Sequence, residues 1–133
     1  MSAGRIALIE DNPDNRFVVR VMLEDVYDIT DYETGPSALA AFERDVPDLI
    51  LLDIALPGMD GTEVVGRIRR DPRLHAIPVI ALTAHAMQGD RDRYIAAGCD
   101  DYVSKPIIDV DAFIATVDQH LRAGRPEGSC QPQ

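Results

Sequence analysis

Five short apolar runs, separated by longer segments of mixed character, most limit what this chain can fold into. They are RIALI (5–9), YDITDY (27–32), DLILL (48–52), IPVIAL (77–82) and DYVS (101–104). Most are rich in Ile, Val and Leu and continuous rather than strictly alternating, the pattern of strands covered on both faces. Strands of that kind belong to a parallel sheet, whose neighbours need a crossover of about a dozen residues or more, usually a helix.

The intervening segments carry helical spacing. Phe17, Val18, Val21 and Met22 fall on one face of a helix opening near Pro13. Ala38, Leu39, Ala41 and Phe42 do the same after TGPS, where Pro36 suits a first helical turn. Asp60 and Glu63 resemble a capping box ahead of Val64, Val65 and Ile68. Val110, Phe113, Ile114, Val117 and Leu121 form one stripe behind Asp109, the expected N-cap. A helix over roughly Met87 to Ala97 is the weakest. Its QGDRDR segment holds a glycine and four charges, which leaves Met87, Tyr94 and Ile95 as apolar anchors. Low packing of this kind accompanies motion. Residues 1–122 therefore read as one domain, and 123–133 as a flexible tail or the start of a linker.

At 133 residues the chain can build one core, and 46% apolar with 27% charged residues is ordinary for a soluble domain. No stretch approaches the roughly 20 apolar residues of a transmembrane helix. The N-terminal MSAGRIALIEDN lacks a signal-peptide apolar region, so a cytoplasmic location with no membrane partner is expected. A formal charge of −10 argues against nucleic acid as a partner. Cys99 and Cys130 have neither metal-ligand nor disulfide-framework spacing. Cys99 reads as a small buried residue and Cys130 as an exposed thiol.

Repeated strand-then-helix units imply right-handed crossovers, helices on both faces and sites outside the carboxyl ends of the strands. There the first strand delivers Glu10 and Asp11, the third Asp53, the fourth Thr83 and the fifth Lys105. Three carboxylates in one crevice repel by about 2–4 kcal/mol per pair at an effective dielectric near 20, so they need a counter-ion. An all-oxygen cluster without Cys or His favours Mg2+ or Mn2+ over zinc. Lys105 adds a mobile positive charge and Thr83 a short donor. Together these groups describe a phosphoryl-transfer site with Asp53 as nucleophile. Taken singly, an acidic pair is a helix cap, a threonine a turn residue and a lysine a solvated charge; joint placement carries the reading. His85, two residues past Thr83, either overhangs the crevice or lies in an exposed loop. His75 and His120 are expected at the surface, and Tyr27 and Tyr32 in packing or rim positions.

The segments LIEDN, PDLILLDIALPGMDG, IPVIALTAHA and AAGCDDYVSKP, with their spacing, resemble the receiver domain of two-component response regulators over about residues 5–122. The resemblance implies a flavodoxin-like, doubly wound sheet of order 2-1-3-4-5 with five helices. It makes Asp53 the phospho-acceptor and gives Mg2+ (or Mn2+) to Glu10, Asp11, Asp53 and the backbone carbonyl of Ala55. It makes Thr83 the switch hydroxyl, Lys105 the phosphate-binding lysine, Tyr102 the rotating aromatic and Pro106 the proline after a cis peptide. The implied partners are a sensor histidine kinase or phosphotransfer protein and a downstream protein target. That describes a signalling domain rather than an enzyme, either of single-domain type or a piece of a larger regulator or hybrid kinase.

Other readings fit less of the chain. A phosphohydrolase of the haloacid-dehalogenase type wants a second Asp two residues after the nucleophile, where this chain has Ala55. A flavodoxin-like cofactor binder wants a phosphate loop after the first strand, where EDNPDN repels phosphate without a metal. A receiver that takes no phosphate would lack site residues that are all present here. Ala55 offers an attacking water no hydrogen bond, His85 either holds one or shields the phosphoryl group, and Ala84 leaves the entrance open. Easy phosphotransfer with slow self-dephosphorylation is the resulting expectation.

Overall fold

Strands and helices alternate along the chain in the computed structural model, which describes residues 4–54, 61–83, 88–105, 107 and 109–123. The order is β1 (Arg5–Ile9), α1 (Pro13–Leu23), β2 (Asp28–Tyr32), α2 (Gly35–Phe42), β3 (Leu49–Asp53), α3 (Gly61–Arg70), β4 (Val79–Thr83), α4 (Gln88–Ala97), β5 (Asp101–Ser104) and α5 (Val110–Ala123). All neighbouring strands pair in parallel, in the order β2-β1-β3-β4-β5. This is the expected doubly wound sheet. The tail expected over 123–133 lies outside the described residues from 124 onward. No described helix is long and apolar enough to cross a membrane.

Side-chain alternation along each strand divides the core in two. Ala7, Ile9, Ile50, Leu52, Val79 and Ala81 pack with residues of α2, α3 and α4, including Phe42, Val65, Ile68 and Tyr94. Ile6, Leu8, Leu49, Leu51, Ile80 and Leu82 face α1 and α5, against Val19, Leu23, Phe113 and Val117. Burial on both faces explains why β3 and β4 read as unbroken apolar runs. Both run to a polar residue that stays inside the ladder: Asp53 pairs with Leu82, and Thr83 with Ser104. Backbone pairing ignores side-chain polarity, so these strands extend one residue beyond their apolar stretch.

Local signals set the helix starts. The Asn12 side chain accepts from the backbone N–H groups of Asp14 (2.8 Å) and Asn15 (3.2 Å), ahead of Pro13 at the first helical position. Thr34 and Ser37 form a reciprocal capping box on α2. Asp109 caps α5 by accepting from Ala112 N at 3.0 Å.

The inward face of α1 differs from the expectation. Val19 and Leu23 are buried and Met22 partly so, whereas Phe17 is 68% exposed and Val18 and Val21 are also exposed. Apolar residues at 17–19 and 21–23 cover far more than one stripe of this helix, and the sheet takes only its Val19–Leu23 edge. Ile95 is likewise exposed rather than an anchor of α4. Tyr27 is fully buried, and Tyr32 packs edge-on against Phe42 with ring centroids 5.7 Å apart.

Away from the carboxyl ends of the strands, Arg69 ties α3 to the turn before β5. It donates to the carbonyls of Gly98 (2.9 Å), His75 (3.2 Å) and Ile77 (2.7 Å) and to Asp100 Oδ2 (3.0 Å). Gly98, at φ +121°, takes the left-handed conformation that ends α4. Cys99 beside it is buried as expected, and desolvation pushes its thiol up to about 12, so it is inert.

Gly61 fixes the approach of α3 to the end of β3. A Cβ there would lie 2.6 Å from Ile54 Cα and 2.9 Å from the Asp53 carbonyl oxygen. Gly61→Ala is expected to destabilise the fold by about 1–3 kcal/mol through this backbone clash. Urea unfolding checks it, and an unchanged midpoint contradicts the close approach.

Candidate functional site

Strand parity brings the charged groups together. Glu10 continues the Ile6–Leu8 face of β1, Asp53 the Leu49–Leu51 face of β3, and Lys105 the Val103 position of β5, all on the α1/α5 side. Lys105 Nζ lies 3.0 Å from Glu10 Oε1 and 3.4 Å from Asp53 Oδ1. Glu10 is 1% exposed and Asp53 5%. Asp11, one residue past Glu10, is exposed, yet carboxylate oxygens of Glu10, Asp11 and Asp53 all lie within 4.8 Å of one another. The Lys105 ammonium therefore bridges two of three clustered carboxylates. The surplus negative charge and all-oxygen donor set suit a hard divalent cation.

The backbone of the acidic pair is also held. Arg16, one turn into α1, donates to the carbonyls of Glu10 (2.9 Å) and Asp11 (3.1 Å) and pairs with Asp31 and Glu33. Asn12 N donates to Glu10 Oε2 at 3.3 Å. Arg16 was not singled out from the sequence, although its place one turn after the Asn12 cap was a readable signal. Beside the charges, a cleft of about 310 Å³ opens between α1 and Ile107, lined in part by Val18, Leu82 and Lys105.

Thr83 is placed differently. Its side chain shares the Val79–Ala81 face of β4, turned toward α3 and α4, and is 3% exposed. Its Oγ1 lies 3.1 Å from the hydroxyl of Tyr94, a residue read from the sequence only as an apolar anchor. The Lys105 N–H donates to the Thr83 carbonyl at 2.8 Å, so the two residues are fixed to each other through the main chain. Tyr102 is half-buried and packs against the α2–α4 side of the core. His120, expected at the surface, is largely buried, with Nε2 3.0 Å from Asp101 Oδ2. That pair joins α5 to β5, and a sequence separation of 19 hides it. Ala55, Ala84, His85 and Pro106, with the carbonyl ligand, the entrance and the cis peptide attached to them, lie outside the described residues.

Residues 6–118 match the family described as the response regulator receiver domain. The chain belongs to that family. The polar-differentiation response regulator DivK of Brucella ovis is 41% identical over 117 residues, covering 87% of this receiver and 94% of DivK. Response regulator PleD of Caulobacter vibrioides is 40% identical over 112 residues, covering 84% of this receiver and 25% of PleD. Among solved structures, the receiver domain of sensor histidine kinase PA1611 from Pseudomonas aeruginosa aligns with a TM-score of 0.80 at 36% identity. The alignment covers 92% of this receiver and 99% of that chain, which was solved with a magnesium ion coordinated in its active-site cleft.

The electrostatics give a pH signature. Burial raises the Glu10 pKa above its usual value, the hydrogen bond and like charge of Asp53 raise it further, and Lys105 opposes them. Ionised Glu10 thus costs the metal-free receiver stability, a cost that disappears as pH falls through the raised pKa. Glu10→Gln is expected to raise the melting temperature at neutral pH in the presence of a chelator. It should also flatten the stability gain that wild type shows on mild acidification. A variant that melts lower by the same margin at both pH values contradicts the assignment.

Proposed function

We propose that this receiver takes a phosphoryl group onto Asp53 from a sensor histidine kinase or phosphotransfer protein, with a divalent cation, and signals through altered contacts with a downstream protein. The observation that supports it most is the buried Asp53 carboxylate between one ammonium and two further carboxylates. An Asp53 oxygen attacks the phosphorus of a donor phosphoimidazole. A P–O bond forms, the P–N bond breaks with its electron pair returning to the ring nitrogen, and the donor leaves as neutral imidazole that keeps the proton already on its other nitrogen. Lys105 exchanges its carboxylate partners for a phosphoryl oxygen, and the Thr83 hydroxyl donates to another. Glu10, Asp11 and Asp53 are the described side chains that would hold Mg2+ or Mn2+, with the Ala55 carbonyl as the further ligand the family resemblance supplies. Bound there, the cation neutralises charge on the transferring group. The likeness to DivK favours a single-domain regulator, and the likeness to a receiver of a histidine kinase keeps the hybrid-kinase reading as the second one. A cytoplasmic location goes with either.

Acetyl phosphate with Mg2+ is expected to add one phosphoryl group per chain, acid-stable and alkali-labile, and Asp53→Asn to abolish it. Intact-mass spectrometry checks this, and label retained by the variant refutes the acceptor. The lifetime of the acyl phosphate gives a second test. Because Ala55 supplies no hydrogen bond to a hydrolytic water, wild-type decay should be slow, with Ala55→Asn accelerating it. A wild-type half-life of seconds, unshortened in the variant, contradicts that part.

A further inference from the structure

Tyr94 is the buried side chain of α4 among residues 92–97. Asp92, Arg93, Ile95 and Ala96 are exposed and Ala97 half-buried, while Tyr94 is 1% exposed. Its hydroxyl meets Thr83 Oγ1 at 3.1 Å inside the core. Arg93 donates to the same phenolic oxygen at 3.3 Å, and its guanidinium carbon lies 5.1 Å from the ring centroid. With Arg93 donating to it, the phenolic oxygen still shares one hydrogen bond with Thr83 Oγ1, in which either hydroxyl can donate.

The bond lies on the face to which strand parity turns Thr83, away from the charged groups. Thr83 lies on the α3/α4 face of β4, whereas Glu10, Asp53 and Lys105 meet on the α1/α5 side of the sheet. A threonine that donates to a phosphoryl group on Asp53 has to turn from the tyrosine. Over 92–97 the buried Tyr94 ring seats α4 on the core, and its hydroxyl ties that seat to the end of β4 through Thr83. We propose that the Tyr94 hydroxyl holds Thr83 turned toward α4 in the resting receiver, and that loss of this bond on phosphorylation releases α4. Tyr94 is then a positioning residue that links the phosphoryl site to the helix. The inference rests on the reading of Thr83 as the group that answers phosphorylation.

Tyr94→Phe keeps the ring and removes the hydroxyl; Thr83→Val removes the other partner. Hydrogen exchange of α4 amides in the unphosphorylated full chain is expected to rise roughly 3- to 10-fold in either variant, the equivalent of one ordinary hydrogen bond. The double variant should rise no further, because both changes remove the same bond. Phosphorylation of Tyr94→Phe by limiting acetyl phosphate with Mg2+ should be several-fold faster than wild type, since Thr83 starts already released. Unchanged α4 exchange, additive effects in the double variant, or slower phosphorylation of Tyr94→Phe would overturn the proposal. A wild-type chain that takes no phosphoryl group overturns the reading of Asp53 and the release step with it. The exchange cycle judges the resting bond separately.

Discussion

Glu10 and Asp53 end adjacent inner strands with almost no exposed surface, and Lys105 reaches both at 3.0 and 3.4 Å. Taking ions out of water costs several kcal/mol each even after relaxation, and attraction offsets that only where geometry is close. One ammonium does not balance two buried carboxylates with Asp11 beside them. Burial, with the Asp53 carboxylate beside it, raises the Glu10 pKa, and a divalent cation among the three carboxylates would offset their charge.

The parallel sheet makes this concentration of charge possible. Each strand runs the same way, so every strand end opens on one edge, and side-chain parity then sorts the arrivals between two faces. Glu10, Asp53 and Lys105 fall on the α1/α5 side, Thr83 and Tyr102 on the α2–α4 side. The sorting separates the carboxylate and ammonium cluster from the Thr83 hydroxyl. Opposite the site, Arg69 of α3 makes two hydrogen bonds to the turn before β5 and two to the connection leading into β4. α4 is seated on the same side of the core by the buried Tyr94, whose hydroxyl meets Thr83 at the end of β4.

The fold was legible because burial on both faces turns each inner strand into an uninterrupted apolar run. RIALI, DLILL and IPVIAL leave little room for another architecture. The acidic pair, Asp53 and Lys105 were legible because they directly follow those runs, where topology alone places them together. Thr83 was legible as a strand-end residue, but the sheet face it occupies depends on where its strand ends, and the apolar run stops one residue short. The packing side of α1 was not legible. Apolar residues cover most of that helix, and periodicity cannot choose among stripes when several qualify. Tyr94 is the buried anchor its helix suggests, but its polar contact, like that of His120, was not legible for a related reason. Each meets a polar partner on another element, and local spacing carries no information about such a pair.

The central claim is that the Glu10–Asp11–Asp53 cluster is a divalent-cation site built around a phospho-accepting aspartate. Anomalous diffraction from crystals of the chain grown with Mn2+ tests it most directly. The account predicts one strong anomalous peak in the crevice, within coordinating distance of Asp11 and Asp53 oxygens and lost in Asp53→Ala. Crystals with no peak there, or with the ion bound elsewhere while Lys105 still spans Glu10 and Asp53, would contradict it.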